Sequence, residues 1–571
     1  MIHPYYLFAL NLLAIIFALV MIRVLVYRSL FYLQVFQQIG YKTNEFRAWV
    51  KEHWDEKVMP RGLLYFLSFS MLLVFTTDYM NWKMSLSAEA VILLGWGFWF
   101  LGSPKMYRPK KVKKPLVWTA RVKRLSIPFG LMNLFLPIFS LFLSFGPWVY
   151  SNIGHPRLQA SQSIHYDAPS LALGLALAYL FIPLFLFLSG VLMKPVEKSV
   201  QNGFKKQARK KLASLPHLKI IAITGSYGKT SIKFMVRDIL KERFSVCVTP
   251  GSFNTPMGIC KVINNDLQAH HQILVLEMGA RYAGNIAELC DIAEPDISIV
   301  SNVGWAHLET FGSQEVIAKE KGTIVDRLKK GGVAILNGND EKVRVMGQNR
   351  ADIQRVVVGT MSEKISNDTT LSLSATDISY STKGTSFTLH KAADSWPITC
   401  PLLGVHNVQN LLLALAVGDH FGLRANTLSL AASDIEPIEH RLELKPIGDY
   451  FVIDDAFNSN PIGAQNAVEI LASFTSGKRY IITPGMVELG EKEEEENAAF
   501  GGHIAKANLD FAFIVGLERG KIIEQGYLEA GGDPDKIARV ESLFEANERV
   551  QAILLPGDVI LYENDLPDIY S

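Results

Sequence analysis

The sequence predicts two unlike parts: an α-helical membrane region of five spans, then α/β domains built on a parallel, doubly wound sheet. Three observations carry this. Five apolar stretches long enough to cross a bilayer fall before Lys194, at Tyr5–Tyr27, Gly62–Met80, Met84–Gly102, Ile127–Tyr150 and Pro169–Met193. Beyond Lys194, short apolar runs alternate with helical segments, the pattern of parallel strands joined by crossover helices. One of these runs, Leu218–Ile223, leads straight into the glycine-rich stretch Thr224-Gly225-Ser226-Tyr227-Gly228-Lys229-Thr230-Ser231, and a helix follows. At 571 residues the chain is too long for a single core.

The first apolar stretch is not read as a cleaved signal peptide, because four more follow and no small-residue cleavage site is evident. The net charge of +2 averages two unlike halves. Between Lys105 and Arg124 nine lysines and arginines occur with no acid among them, and Lys194, Lys198, Lys205, Lys206, Arg209, Lys210 and Lys211 follow the fifth stretch. The positive-inside rule places both segments in the cytoplasm, the N-terminus outside and everything after Met193 inside. Because they border membrane spans, these segments are expected to meet anionic lipid headgroups, and no nucleic-acid partner is expected. The expected organisation is a membrane region over 1–193, a basic linker over 194–217, a central domain over 218–435 and a C-terminal domain over 436–571.

The glycine stretch has the context of a phosphate-binding loop: buried strand, loop, helix. Gly225 and Gly228 let backbone N–H groups curl around an anion, and the helix N-terminus adds partial positive charge. Lys229 is placed to reach the outer phosphates, and the Thr230 hydroxyl to ligate Mg²⁺. The spacing Gly-x-x-Gly-Lys-Thr is two residues tighter than the usual form. The reading is that this chain handles a nucleoside triphosphate.

Further on, Ser245–Thr249 reads as a second strand and Gly251–Gly258 as a loop of turn formers. The run Gln272–Gly279 reads as a buried strand ending in the carboxylate of Glu277. Ligands gather at the carboxyl ends of strands in open α/β sheets, so Glu277 is placed to hold a metal near the loop. Ile297–Val300 leads into Ser301–Glu309, which sets His307 just past another strand end. Cys247, Cys260, Cys290 and Cys400 are scattered and read as small buried hydrophobes, with neither a zinc site nor a disulfide framework. Glu491–Glu496 reads as a solvated helix start and His270-His271 as loop surface. No internal repeat is evident.

The ordered motifs resemble the Mur ligase family. They are the loop 224–231, Glu277-Met278-Gly279-Ala280, Asn302-Val303-Gly304 with Ala306-His307-Leu308-Glu309, Phe311-Gly312-Ser313 and Ala318-Lys319-Glu320-Lys321-Gly322. Gly404–Asn410, His440-Arg441-Leu442-Glu443, Asp454–Pro461 and Met486–Glu491 continue the likeness, which covers about 218 to 560. The resemblance implies a P-loop central domain with a parallel sheet and a smaller, Rossmann-like C-terminal domain. It also implies a reaction. A substrate carboxylate attacks the γ-phosphate of ATP to give an acyl phosphate, and an incoming amine displaces phosphate to leave an amide. Phosphoryl transfer needs positioning and charge neutralisation more than a nucleophilic side chain.

By resemblance, Lys229 grips the phosphates, Thr230 and Glu277 hold a first Mg²⁺, and His307 serves a second. Lys321 corresponds to a lysine that the family carbamylates with CO₂, which turns an ammonium into a carboxylate-like metal ligand. Arg441 is expected to face the triphosphate and Asp455 the ribose, with Asn410 and Asn458 near the nucleotide. The implied partners are ATP, Mg²⁺, membrane lipids, an amino acid or dipeptide such as D-alanyl-D-alanine, and a cell-wall precursor that is lipid-linked or nucleotide-linked.

Two departures from the pattern bear on substrate. Membrane stretches and a basic linker stand where the soluble ligase has a domain for the uridine diphosphate end of its substrate. A Lys-Gly-Ser-Arg type segment after Gly-Asp-Val is replaced by Ile560-Leu561-Tyr562-Glu563-Asn564-Asp565. Rival readings are a membrane ligase of a polyglutamate-like or other non-murein polymer and a non-catalytic nucleotide-binding regulator of a membrane complex. A transporter is disfavoured, since the spans hold few ionisable groups.

Overall fold

The computed structural model describes residues 4–59, 94, 107, 115–135, 138, 168–251, 253–304, 308–361, 370–437, 440–456, 461–487, 489 and 492–564. Two compact units result, Met1–Asn202 and Gly203–Ser571.

The first unit is helical where described. Helix α1 (Pro4–Gln38) is followed by α2 (Thr43–Glu52), a helical segment at 120–135, and α3 (Ala168–Ala213). Tyr32, Phe36, Phe46, Leu125, Phe129, Ile182 and Leu186, drawn from all four, form its core. Both long helices outrun the apolar stretches that announced them. A charged residue does not end a helix, so α1 continues past Arg28 until Gly40 and Tyr41 turn left-handed at φ 70° and 63°. Helix α3 likewise carries the basic segment to Ala213, because Lys, Arg, Gln and Ala are good helix formers; the chain then turns at Leu215-Pro216. Among the described residues two helical segments are long and apolar enough to cross a membrane, Leu19–Gln38 and Leu177–Ala213, against the five spans expected. The stretch Gly62–Met80 lies outside the described residues, as do Met84–Gly102 apart from Leu94 and the fourth stretch beyond Ile138.

The second unit holds two sheets. The larger has nine strands in the order β2-β3-β1-β4-β5-β6-β7-β8-β9. Strands β1 (Lys219–Thr224), β2 (Val246–Val248), β3 (Ile273–Glu277), β4 (Ile297–Val300), β5 (Val333–Asn337) and β6 (Gln354–Thr360) run parallel, as expected. Strands β7 (Leu373–Ser381), β8 (Gly384–Lys391) and β9 (Asp394–Cys400) extend it as an antiparallel meander that sequence reading did not single out.

The parallel strands are buried on both faces, and alternate residues feed two cores. Ile221, Ile223, Val275 and Ile299 pack beneath α4 (Lys229–Leu240), α8 (Val405–His420) and α9 (Ala425–Ser433). Ile220, Ala222, Leu274 and Leu276 pack beneath α5 (Pro256–Asn265), α6 (Asn285–Ile292) and α7 (Gln314–Asp326). All four cysteines are buried and free.

The smaller sheet has the order β10-β11-β15-β12-β13-β14. The hairpin of β10 (Glu443–Ile447) and β11 (Tyr450–Asp455) is antiparallel; β12 (Arg479–Thr483), β13 (Phe511–Val515), β14 (Ile537–Val540) and β15 (Val559–Glu563) continue in parallel. Helix α10 (Pro461–Ser473) covers one face through Ala464, Ala467, Val468 and Leu471. The carboxyl ends of the two sheets supply the residues described next.

Candidate active site

Strands β3, β1 and β4 are neighbours, so their carboxyl ends bring three sequence motifs together. The loop after β1 is braced by the segment after β4. Ser226 N–H donates to the Asn302 carbonyl at 3.0 Å, Tyr227 N–H to Asn302 Oδ1 at 2.9 Å, and Gly304 N–H to Ser226 Oγ at 2.8 Å. Ser301 Oγ donates to the Tyr227 carbonyl at 2.6 Å. Two positions demand glycine. A Cβ on Gly225 would lie 1.8 Å from Ser301 Oγ. Gly228 caps α4 at φ 80°, and its Cβ would meet the Asn410 amide at 2.7 Å. The loop is thereby fixed in an open curl with the helix N-terminus behind it.

Lys229 Nζ donates to the carbonyls of Gly225 at 2.9 Å and Ser226 at 3.3 Å, folded back across the curl. Thr230 Oγ1 donates to Glu277 Oε2 at 2.9 Å, which joins the loop to the end of β3. Glu277 is 1% exposed, and its other oxygen accepts from Asn254 Nδ2 at 3.2 Å. Lys233, fully buried, donates to Glu277 Oε2 at 3.3 Å. Sequence reading missed Lys233 and Asn254. The signal was there for Lys233, which stands four residues after Lys229 and so on the same helix face; Asn254 sits in the turn-rich loop and carried no comparable mark.

Lys321, on α7, is 5% exposed and makes no hydrogen bond among the described residues. Its neighbour Glu320 points away, accepting the N–H groups of Gly284 and Ile286 at the start of α6 at 2.8 and 2.7 Å. Burial, together with the charge of Lys229, pushes the Lys321 amine down to about 7. Burial also lowers Lys229; Glu277 opposes this and Arg441 adds to it. Lys229 thus stands between two further basic side chains, Lys321 and Arg441, an arrangement suited to a polyanion.

A cavity of about 390 Å³ opens beside the loop. Tyr227, Gly228, Ser231 and Asn410 line it from the larger sheet's side, Arg441 and Asp455 from the smaller's. His440 and Leu442, on either side of Arg441, are left-handed at φ 61° and 47°, a strain of about 1–2 kcal/mol each. Leu442 N–H donates to Asp455 Oδ1 at 3.1 Å, and burial raises the Asp455 carboxyl to about 6. His406, also on the wall, is pushed down to about 4 by burial and stays neutral. Of the expected site residues, His307 and Asn458 lie outside the described residues. Gly225, Ser226, Tyr227, Gly228, Lys229, Thr230 and Ser231 belong to the loop, Glu277 and Lys321 lie beside it, Asn410 packs against Gly228, and Arg441 and Asp455 face it across the cavity.

The donor set fits the groups this site implies. A hydroxyl and a carboxylate are the hard oxygen ligands Mg²⁺ prefers, and a glycine curl that excludes a Cβ suits phosphate. A bare Lys321 amine does not fit Mg²⁺; a carbamate on it does.

Residues 223–418 match the Mur ligase middle domain and residues 440–562 the Mur ligase glutamate ligase domain. The chain is 31% identical to the UDP-N-acetylmuramoyl-tripeptide--D-alanyl-D-alanine ligase of Bacillus subtilis, over 60% of this chain and 72% of that protein. It is 34% identical to the ligase of the same name from Mycobacterium tuberculosis, over 60% and 70%. Among solved structures, MurF from Acinetobacter baumannii superposes with a TM-score of 0.56 at 24% identity, over 64% of this chain and 78% of that one, a likeness of fold. The chain belongs to the Mur ligase family and is an ATP- and Mg²⁺-dependent ligase that forms carbon–nitrogen bonds.

Proposed function

We propose that this chain is a membrane-anchored ligase that adds D-alanyl-D-alanine, or a comparable amino acid or dipeptide, to a carboxylate of a peptidoglycan-type precursor. The glycine curl with Thr230 bonded to Glu277 behind it, and Arg441 and Asp455 lining the cavity that it opens on, is the observation that carries the reading. Lys229 withdraws from the Gly225 and Ser226 carbonyls to hold the transferring phosphoryl group. Thr230 and Glu277 would hold the first Mg²⁺, and His307 and carbamylated Lys321 would serve the second. Metal held there would supply positive charge against that building on the phosphoryl oxygens. Asn410, Asn458, Asp455 and Arg441 orient the nucleotide. The acceptor carboxylate attacks the γ-phosphorus and ADP leaves. The amine then attacks the acyl carbon, loses a proton, and expels inorganic phosphate.

Anchoring is supported by the side chains of the first unit. On α1, Leu12, Ile16, Leu19, Ile22 and Val26 form one stripe, each 49–63% exposed. On the segment 120–135, Ile127, Leu131, Leu134 and Phe135 form another, at 57–66%. Contiguous apolar stripes of this kind suit lipid and are costly in water. Five spans, an outside N-terminus and a cytoplasmic catalytic unit complete the proposed arrangement.

Confinement to a membrane raises the effective concentration of a substrate in the same plane, so a lipid-linked acceptor is the favoured form. The test supplies the full-length protein, in lipid nanodiscs, with one acceptor in lipid-linked and uridine-diphosphate-linked forms. The lipid-linked form is expected to show a kcat/KM at least about tenfold higher. Equal or better use of the soluble form would leave the spans as an anchor alone.

A further inference from the structure

We propose that Lys233 is a positioning residue that makes metal binding at Glu277 conditional on nucleotide. The proposal rests on the reading of Thr230 and Glu277 as Mg²⁺ ligands. Lys233 lies one helical turn beyond Lys229 on α4, yet the two lysines are used differently. Lys229 folds over the loop, whereas Lys233 points down to the end of β3 with no exposed surface. Its ammonium is held from three sides: Glu277 Oε2 at 3.3 Å, the Gly251 carbonyl, and the Phe234 ring, 4.5 Å from its centroid.

Glu277 is thus engaged on both oxygens before any ligand arrives. Its Oε2 takes Thr230 and Lys233, and its Oε1 takes Asn254. A divalent cation approaching this carboxylate alone has to displace the Thr230 hydrogen bond and share the oxygen with a fixed positive charge. With both groups buried, that repulsion is little screened. Nucleotide phosphates on the loop add negative charge on the far side of Thr230 and reverse the balance. The metal is thus admitted together with the triphosphate, while at rest the Glu277 charge is balanced by its own lysine. This goes beyond structural pairing: a lysine that only filled space would leave nucleotide-free metal affinity unchanged when replaced by an uncharged side chain of similar length.

The experiment measures Mn²⁺ binding to the full-length protein in detergent by the electron paramagnetic resonance of free Mn²⁺, with and without ATP. Without nucleotide, Lys233→Met and Lys233→Gln are expected to bind Mn²⁺ at least about tenfold more tightly than the wild-type protein. With ATP the gap should narrow. Because removing a buried charge also lowers stability, the thermal midpoint is read in parallel: Mg²⁺ alone should raise the Tm of both variants and leave the wild type unmoved. Variants that gain neither Mn²⁺ affinity nor a Mg²⁺-dependent Tm overturn the proposal. So does a wild-type protein that binds Mn²⁺ equally with and without ATP. A wild type whose Tm does not respond to Mg²⁺ and ATP together fails the nucleotide-site reading itself, a result distinct from either.

Discussion

Lys229→Ala is expected to lose at least about a thousandfold in kcat while keeping its fold. The side chain donates only to two loop carbonyls, which the curl can leave to solvent, and it fills no core position. What the substitution removes is the loop's cation placed to meet the transferring phosphoryl group. The check is amide formation at saturating ATP, with circular dichroism confirming the fold. Turnover within tenfold of wild type would show that the phosphates are held elsewhere.

Lys321→Ala is expected to fall nearly as far, by about a thousandfold, because it removes the proposed carbamate ligand of the second metal. Acetate or formate should restore part of the activity by entering the vacated, buried space, whereas Lys319→Ala should be mild, since Lys319 stands two residues off on the same helix. The chemistry carries a pH signature. Only the neutral amine attacks CO₂, and this amine is pushed down to about 7. About a tenth is neutral at pH 6 and about nine-tenths at pH 8, against almost none for an ordinary lysine. At limiting bicarbonate, activity should therefore rise from pH 6 to pH 8, and excess bicarbonate should flatten that rise. A flat profile at limiting bicarbonate, or a fully active Lys321→Ala, would remove the carbamate from the account.

Much of the catalytic unit was legible because its signals are local. The strands β1, β3 and β4 are largely apolar runs that lead into a glycine, a carboxylate and an asparagine motif, and parallel pairing puts those ends side by side. The meander β7–β9 was not legible in the same way. Its Ser- and Thr-rich strands alternate weakly; β7 pairs with the edge offered by β6, and β8 and β9 add to it in turn. The Lys233–Glu277 contact was hidden for a related reason: helical spacing gives the face of a lysine, but only the packed sheet shows which carboxylate waits beneath it. In the first unit, hydropathy marked the apolar stretches and not the helix ends, since α1 and α3 continue through polar residues that favour the helix as much as leucine does. The positions of Arg441 and Asp455 depend on how the two sheets of the second unit meet, which no local pattern carries.

Coupling is the most direct measure of the central claim. Full-length protein with ATP and Mg²⁺ is given the acceptor alone, D-alanyl-D-alanine alone, and both together, while ADP is followed enzymatically and the amide by mass spectrometry. The account predicts sustained ADP release only when both are present, with one ADP for each amide formed. ADP release that ignores both substrates and yields no amide would contradict it, and would describe a nucleotide-driven regulator instead of a ligase.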